Sequence, residues 1–144
     1  MGEKFRKVKF ILENWSYTLN RIEAQEEYIK LLRENAQVAA LKAQDVRKDS
    51  IQGGGSSSAS YEGLILEIDE REAKLKLDRW EVEQINKAVH NLEDQRMKDI
   101  IRMIHFERKK KGAVAGLMFM DRTTCWKIRT EAIGLIAFQV WGES

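Results

Sequence analysis

The 144 residues contain no proline, the residue that removes a backbone donor and clashes with the preceding helical turn. A chain without it, whose apolar residues recur at steps of three and four, is free to run in long helices. The first such run extends from Glu3 to Arg47. In it Phe5, Val8, Leu12, Trp15, Leu19 and Ile22 follow one stripe, as along a coiled-coil seam. Strict continuation would place Glu26 and Arg33 in the seam, so the stripe changes phase. It passes to Tyr28, Ile29 and Leu32, then to Ala36, Ala39 and Ala40, small residues that let another helix approach closely.

A second run, Tyr61 to Asn91, carries Leu64, Ile68, Leu75, Val82, Ile85, Val89 and Leu92 on its apolar side. Between the two lies Ile51-Gln-Gly-Gly-Gly-Ser-Ser-Ser-Ala-Ser60, rich in residues that lose backbone entropy on ordering and bury little. It reads as a flexible connection, a native loop in preference to an engineered splice, because its flanks read as one protein. Two stripes on two long helices exceed what a small C-terminal domain buries alone. They predict either an antiparallel hairpin or pairing with a second subunit, as a homodimer or higher oligomer.

The remainder breaks into shorter pieces. Met97, Ile100, Ile101 and Ile104 give an apolar face to a helix ending near Phe106, and Arg108-Lys-Lys-Lys-Gly112 interrupts it. A short helix over Ala113–Met118 follows. Asp121 is an N-cap, able to accept the free N–H groups of the next turn. The last helix runs from Arg122 to Trp141 and stops at Gly142. The expected fold is all-α: a long helix in 1–50, the Gly/Ser connection in 51–60, a second long helix in 61–92 and a helix-turn-helix domain in 93–144.

Two helices crossing steeply over a short turn share a compact core. They need a small residue at the crossing, apolar neighbours, one inward residue in the turn and two on the second helix. Ala115 is the small residue, Val114 and Met118 its neighbours, Met120 the turn residue, and Cys125 and Ile128 the inward side of the last helix. One position departs from this pattern. Phe119 stands where such turns usually carry glycine, which predicts a distorted turn or an aromatic anchor against a neighbouring helix. With Cys125 and Ile128 inward, Arg122, Thr123, Trp126, Lys127 and Thr130 face outward. Those residue types suit base edges in a major groove, though Trp126 is equally suited to packing on the outer helices. The run Arg108, Lys109, Lys110 and Lys111, with Arg129, suits phosphate contacts that position such a module.

Charge follows the same division. Asp94 to Thr130 holds ten Lys/Arg against four Asp/Glu, a local net of +6, whereas Tyr61 to Glu93 holds five against nine, a net of −4. A basic segment beside an acidic one predicts a localised anion-binding face, with double-stranded DNA as the partner.

The segment Leu92 to Gly142 resembles region 4 of sigma-70-type factors in its order of helix, basic turn, short helix and capped recognition helix. Met120-Asp-Arg-Thr-Thr-Cys-Trp-Lys-Ile-Arg-Thr-Glu-Ala-Ile-Gly-Leu-Ile-Ala137 resembles, more closely, the recognition helix of RinA/ArpU-type phage late transcription activators. That family shares the layout of long N-terminal helices and a glycine-rich middle, here Gly53 to Gly55. The resemblance implies a transcription regulator that activates phage packaging, structural and lysis genes through promoter DNA and host RNA polymerase, in the bacterial cytoplasm.

Other function classes find less in the sequence. His90 and His105 stand apart, without ligand spacing to Cys125 or an acidic pair. The glycine run lacks the lysine and hydroxyl residue of a phosphate-binding loop. No metal, cofactor or active site is therefore expected, and the protein is read as a non-enzyme. The lone Cys125 suits a reducing cytosol. No apolar run approaches the roughly 20 residues of a membrane span, and the basic N-terminus lacks a secretion signal. Two alternatives stay open: a phage small terminase subunit, in which the DNA-binding module usually comes first, and an interaction module that binds polymerase or another protein without touching DNA.

Overall fold

The computed structural model describes residues 2–49 and 55–143, with side chains over 2–44 and 61–143. The fold is all-helical, with no strand among the described residues. Helix α1 spans Glu3–Glu13, α2 Trp15–Asp49 and α3 Gly55–His90. Helix α4, Gln95–Ile101, continues into a π-helical turn, Arg102–Phe106, before α5, Lys111–Leu117, and α6, Arg122–Trp141. Among the described residues no helix is long and apolar enough to cross a membrane.

The single helix expected over Glu3–Arg47 is broken at Asn14, where φ is −115° and ψ 30°. Asparagine competes locally for backbone groups, and here the Asn14 amide donates to the Phe10 carbonyl at 2.8 Å. The break resets the apolar stripe. Phe5, Val8, Leu12 and Ile22 are buried as spaced, but Leu19 is 42% exposed and Thr18 takes the inward side in its place. Of the expected flexible connection, residues 51–54 lie outside the described residues. From Gly55 the backbone is already helical, because serine and alanine tolerate helix and an existing helix propagates more readily than it nucleates.

The chain divides into two units. In the first, residues 1–19 and 80–144, α6 packs against α1, α4 and α5. Its interior is aliphatic: Val8, Leu12, Ile85, Val89, Ile100, Ile101, Ile133 and Ile136 are all but inaccessible. Asp94 starts α4 by accepting the Arg96 N–H at 2.8 Å. Trp15 packs on Phe106 with ring centroids 4.7 Å apart, and Trp80 meets Trp141 edge-on at 6.4 Å. Not every apolar residue of α6 turns inward. Leu135 and Phe138 are 51% and 63% exposed, since their place on the wheel lies outside the arc of Ala132, Ile133, Ile136 and Ala137.

In the second unit, residues 20–79, the ion pairs Arg21–Asp78, Glu26–Arg79 and Arg33–Glu72 link α2 to α3. From Arg21 to Arg33 the partner moves back along α3 from Asp78 to Glu72, so the two helices run in opposite directions here. Ile22, Ile29, Leu32 and Ala36 of α2 and Ile68 and Leu75 of α3 are buried. A second set, including Leu31, Val38, Leu41, Leu66 and Leu77, is exposed.

Ile133 is completely buried and Leu135 is not. Ile133→Ala should lower the unfolding free energy by about 2–5 kcal/mol and Leu135→Ala by less than about 1 kcal/mol. Urea titration followed by far-UV circular dichroism measures both.

Candidate nucleic-acid interface

Helix α5 starts abruptly after Lys110, whose backbone is extended. It ends in a Schellman arrangement that satisfies its last carbonyls. The Met120 N–H donates to the Ala115 carbonyl at 3.0 Å and the Phe119 N–H to the Gly116 carbonyl at 3.2 Å. Phe119, at the left-handed position of this motif, has φ 54°. The motif keeps its usual hydrogen bonds despite the missing glycine. Nor does the ring anchor anything: Phe119 is 96% exposed.

Asp121 then launches α6. Its carboxylate accepts the Thr124 N–H at 2.6 Å, and hydrogen bonding from Thr124 holds the group below the usual carboxylate range. Val114, Ala115, Cys125 and Ile128 are buried in one cluster with Ile100, and Met118 and Met120 pack half-buried against it. All six residues assigned to the helix-turn-helix core from the sequence therefore meet in one place. Burial pushes the Cys125 thiol up, so it stays protonated as a small apolar side chain.

On the outer side, Arg122, Thr123 and Lys127 are exposed, while Trp126 and Thr130 are half-buried. A groove of about 510 Å³ runs between Ile104, Lys111, Arg122, Thr123, Cys125, Trp126 and Lys127. Its floor is apolar and its rim cationic, with no carboxylate among the lining residues. Arg108, Lys109, Lys110 and Lys111 are exposed, and Arg108 turns the chain with φ 59°.

Thr130 and Arg129 are placed differently from the expectation, and Trp126 both lines the groove and packs on its neighbours. The Thr130 hydroxyl donates to the Trp126 carbonyl at 2.9 Å, so its donor serves its own helix rather than a base. Trp126 has Lys111 Nζ 3.7 Å and the Arg129 guanidinium 4.1 Å from its ring centre. The indole thus holds two cations in place. Arg129 itself is 2% exposed and cannot meet a phosphate. Its position on α6 points into the unit, where its Nε donates to His105 Nε2 at 2.9 Å and its Nη2 meets Glu13 at 3.2 Å.

His105 is buried, accepts from Arg129 and is also hydrogen-bonded to the Leu12 backbone. Burial first, then the charges of Arg129 and Lys111, push its pKa down to about 4, against the pull of the Leu12 bond. A neutral imidazole can accept from Arg129; a protonated one cannot. Burial likewise lowers Arg129, while Glu13 pulls the other way. Sequence reasoning did not find Glu13 or His105, which lie 116 and 24 residues from Arg129 and share no local pattern with it. Gly112 was also missed, although a Cβ there would stand 2.7 Å from Arg122 Nη2.

The cations differ in their company. Arg21, Arg33, Arg71 and Arg79 each pair with a carboxylate. Among the described residues, no ion pair engages Arg108, Lys109, Lys110, Lys111, Arg122 or Lys127. Comparison of the chain with protein-family models, curated proteins and solved structures gave no match.

Two measurements follow from this geometry. Phe119→Gly relieves a left-handed backbone without removing any packing, and should raise the unfolding free energy by about 1 kcal/mol in urea titration. His105 has a folded pKa of about 4, against about 6.5 when unfolded. The unfolded chain therefore binds the extra proton between these values, and stability falls as pH drops from 6.5 towards 4. The full contribution is about 3 kcal/mol. His105→Gln should remove this segment of the pH profile while leaving losses at lower pH in place.

Proposed function

We propose that the protein is a sequence-specific double-stranded DNA-binding transcription regulator, and that α5 and α6 form its reading module. One observation carries this reading: Arg108, Lys109, Lys110, Lys111 and Arg122 are exposed and engage no ion pair among the described residues, whereas Arg21, Arg33 and Arg79 between α2 and α3 are paired. An unpaired, exposed cation gains most from an arriving phosphate. Arg122, Thr123 and Lys127 stand at the start of α6, where a helix enters a major groove, and the cations of 108–111 serve the backbone. Trp126 supports the face by holding Lys111.

The resemblance to RinA/ArpU-type activators extends the proposal to a phage or prophage late-gene activator acting with host RNA polymerase. The exposed apolar residues of the second unit, Leu31, Val38, Leu66 and Leu77 among them, offer a surface for self-association. One observation favours the interaction-module alternative, the fully displayed ring of Phe119.

Fluorescence anisotropy with duplex DNA at graded salt is the test. If about five phosphates are neutralised, log affinity should fall with log salt at a slope of about −4.5. Lys110→Glu should weaken binding to all duplexes alike and flatten that slope. No binding at low salt would sink the DNA reading and leave the interaction module.

A further inference from the structure

We propose that Gly112 is a specificity-determining position of this interface: its missing side chain seats the Arg122 guanidinium in a fixed orientation beside Lys111 and Trp126. The inference rests on the DNA-binding reading and names what orients its principal base-reading side chain.

A Cβ built on Gly112 would lie 2.7 Å from Arg122 Nη2, 3.1 Å from Nε and 3.2 Å from Cζ. Three atoms of one planar group at such similar distances mean that the guanidinium fills the space a Gly112 side chain would take. Nothing else in the fold demands glycine there. Gly112 is not among the positive-φ positions, and it sits in the first turn of α5, where alanine is the better helix former. Gly116, in the same helix, has open space where its Cβ would be.

Arg122 needs such a seat. It is exposed at the first position of α6 and has no ion pair among the described residues. The adjacent Asp121 is committed to the Thr124 N–H. A long side chain left free would lose its rotamer entropy on binding. Laid against the α5 backbone, it presents its donor fork already oriented, at the rim of the groove it shares with Thr123 and Lys127. The orienting contact comes from a helix ten residues earlier, not from α6 itself.

The test is a double-mutant cycle with Gly112→Ala and Arg122→Lys, using a duplex selected from a random pool by the wild-type protein and an unselected duplex as reference. Gly112→Ala should fold as well as wild type, with an unchanged or slightly raised melting temperature, because the displaced group is the end of a flexible side chain. Its preference for the selected duplex should fall about 5–10-fold, within the range of one bidentate contact. In the Arg122→Lys background the same change should add almost nothing, whereas a purely structural role would add its full effect again. In the free protein, the Arg122 Nε–H resonance should be distinct in wild type and averaged towards exposed arginines in Gly112→Ala. Undiminished preference in Gly112→Ala, or an equal penalty in both backgrounds, overturns this role alone. Absence of duplex binding by wild type overturns the DNA reading and this role with it.

Discussion

The first unit depends on a buried cation. Arg129, 2% exposed in the middle of α6, joins Glu13 at the end of α1 to His105 in the π-helical turn, and its outer side faces Trp126. A guanidinium brought out of water requires nearly all of its donors to be engaged. That requirement fixes three elements at once, because no single neighbour supplies enough acceptors. The π-helical turn fits the same demand. Widening the helix over Arg102–Phe106 inserts a residue relative to the α period, and His105 is the buried residue of that turn.

Order passes outward from this point to the surface. Arg129 and Lys111 both contact the Trp126 ring, so the start of α5 is tied to the second turn of α6 through an indole rather than through α6 alone. Gly112, next to Lys111, then receives Arg122. The exposed cations of this face thus differ in freedom. Lys111 and Arg122 have seats within the fold, while Arg108, Lys109 and Lys110 are exposed without ion-pair partners among the described residues. For the proposed DNA-binding role, this separates side chains held in one orientation from side chains that contribute mainly charge.

Much of the local structure was legible in the residues. Asp121 and Gly142 mark the ends of α6, because capping is decided by the residue at the end itself. The six residues of the α5–α6 core follow from a spacing that any steep helix crossing imposes. Errors arose where one residue had two uses. Asn14 has helical neighbours on both sides, and only its non-helical backbone, with its side chain bonded to Phe10, shows that the helix breaks there. Phe119 looked like a distortion or an anchor; the Schellman hydrogen bonds hold it in a left-handed backbone with its ring in solvent. Arg129 looked like one more cation on a basic helix, since its charge is visible in sequence and its direction is not.

The sequence by itself therefore determined that the chain is helical, where α6 begins and ends, and which residues close the α5–α6 core. Each of these is set by neighbours within a turn or two. Tertiary structure alone decided which cations remain available. Arg129 is withdrawn into the interior by residues 24 and 116 positions away, and Arg122 is oriented by a glycine on another helix. Ion pairing and close approach are long-range facts, and a linear pattern of charge carries no record of which charges will meet.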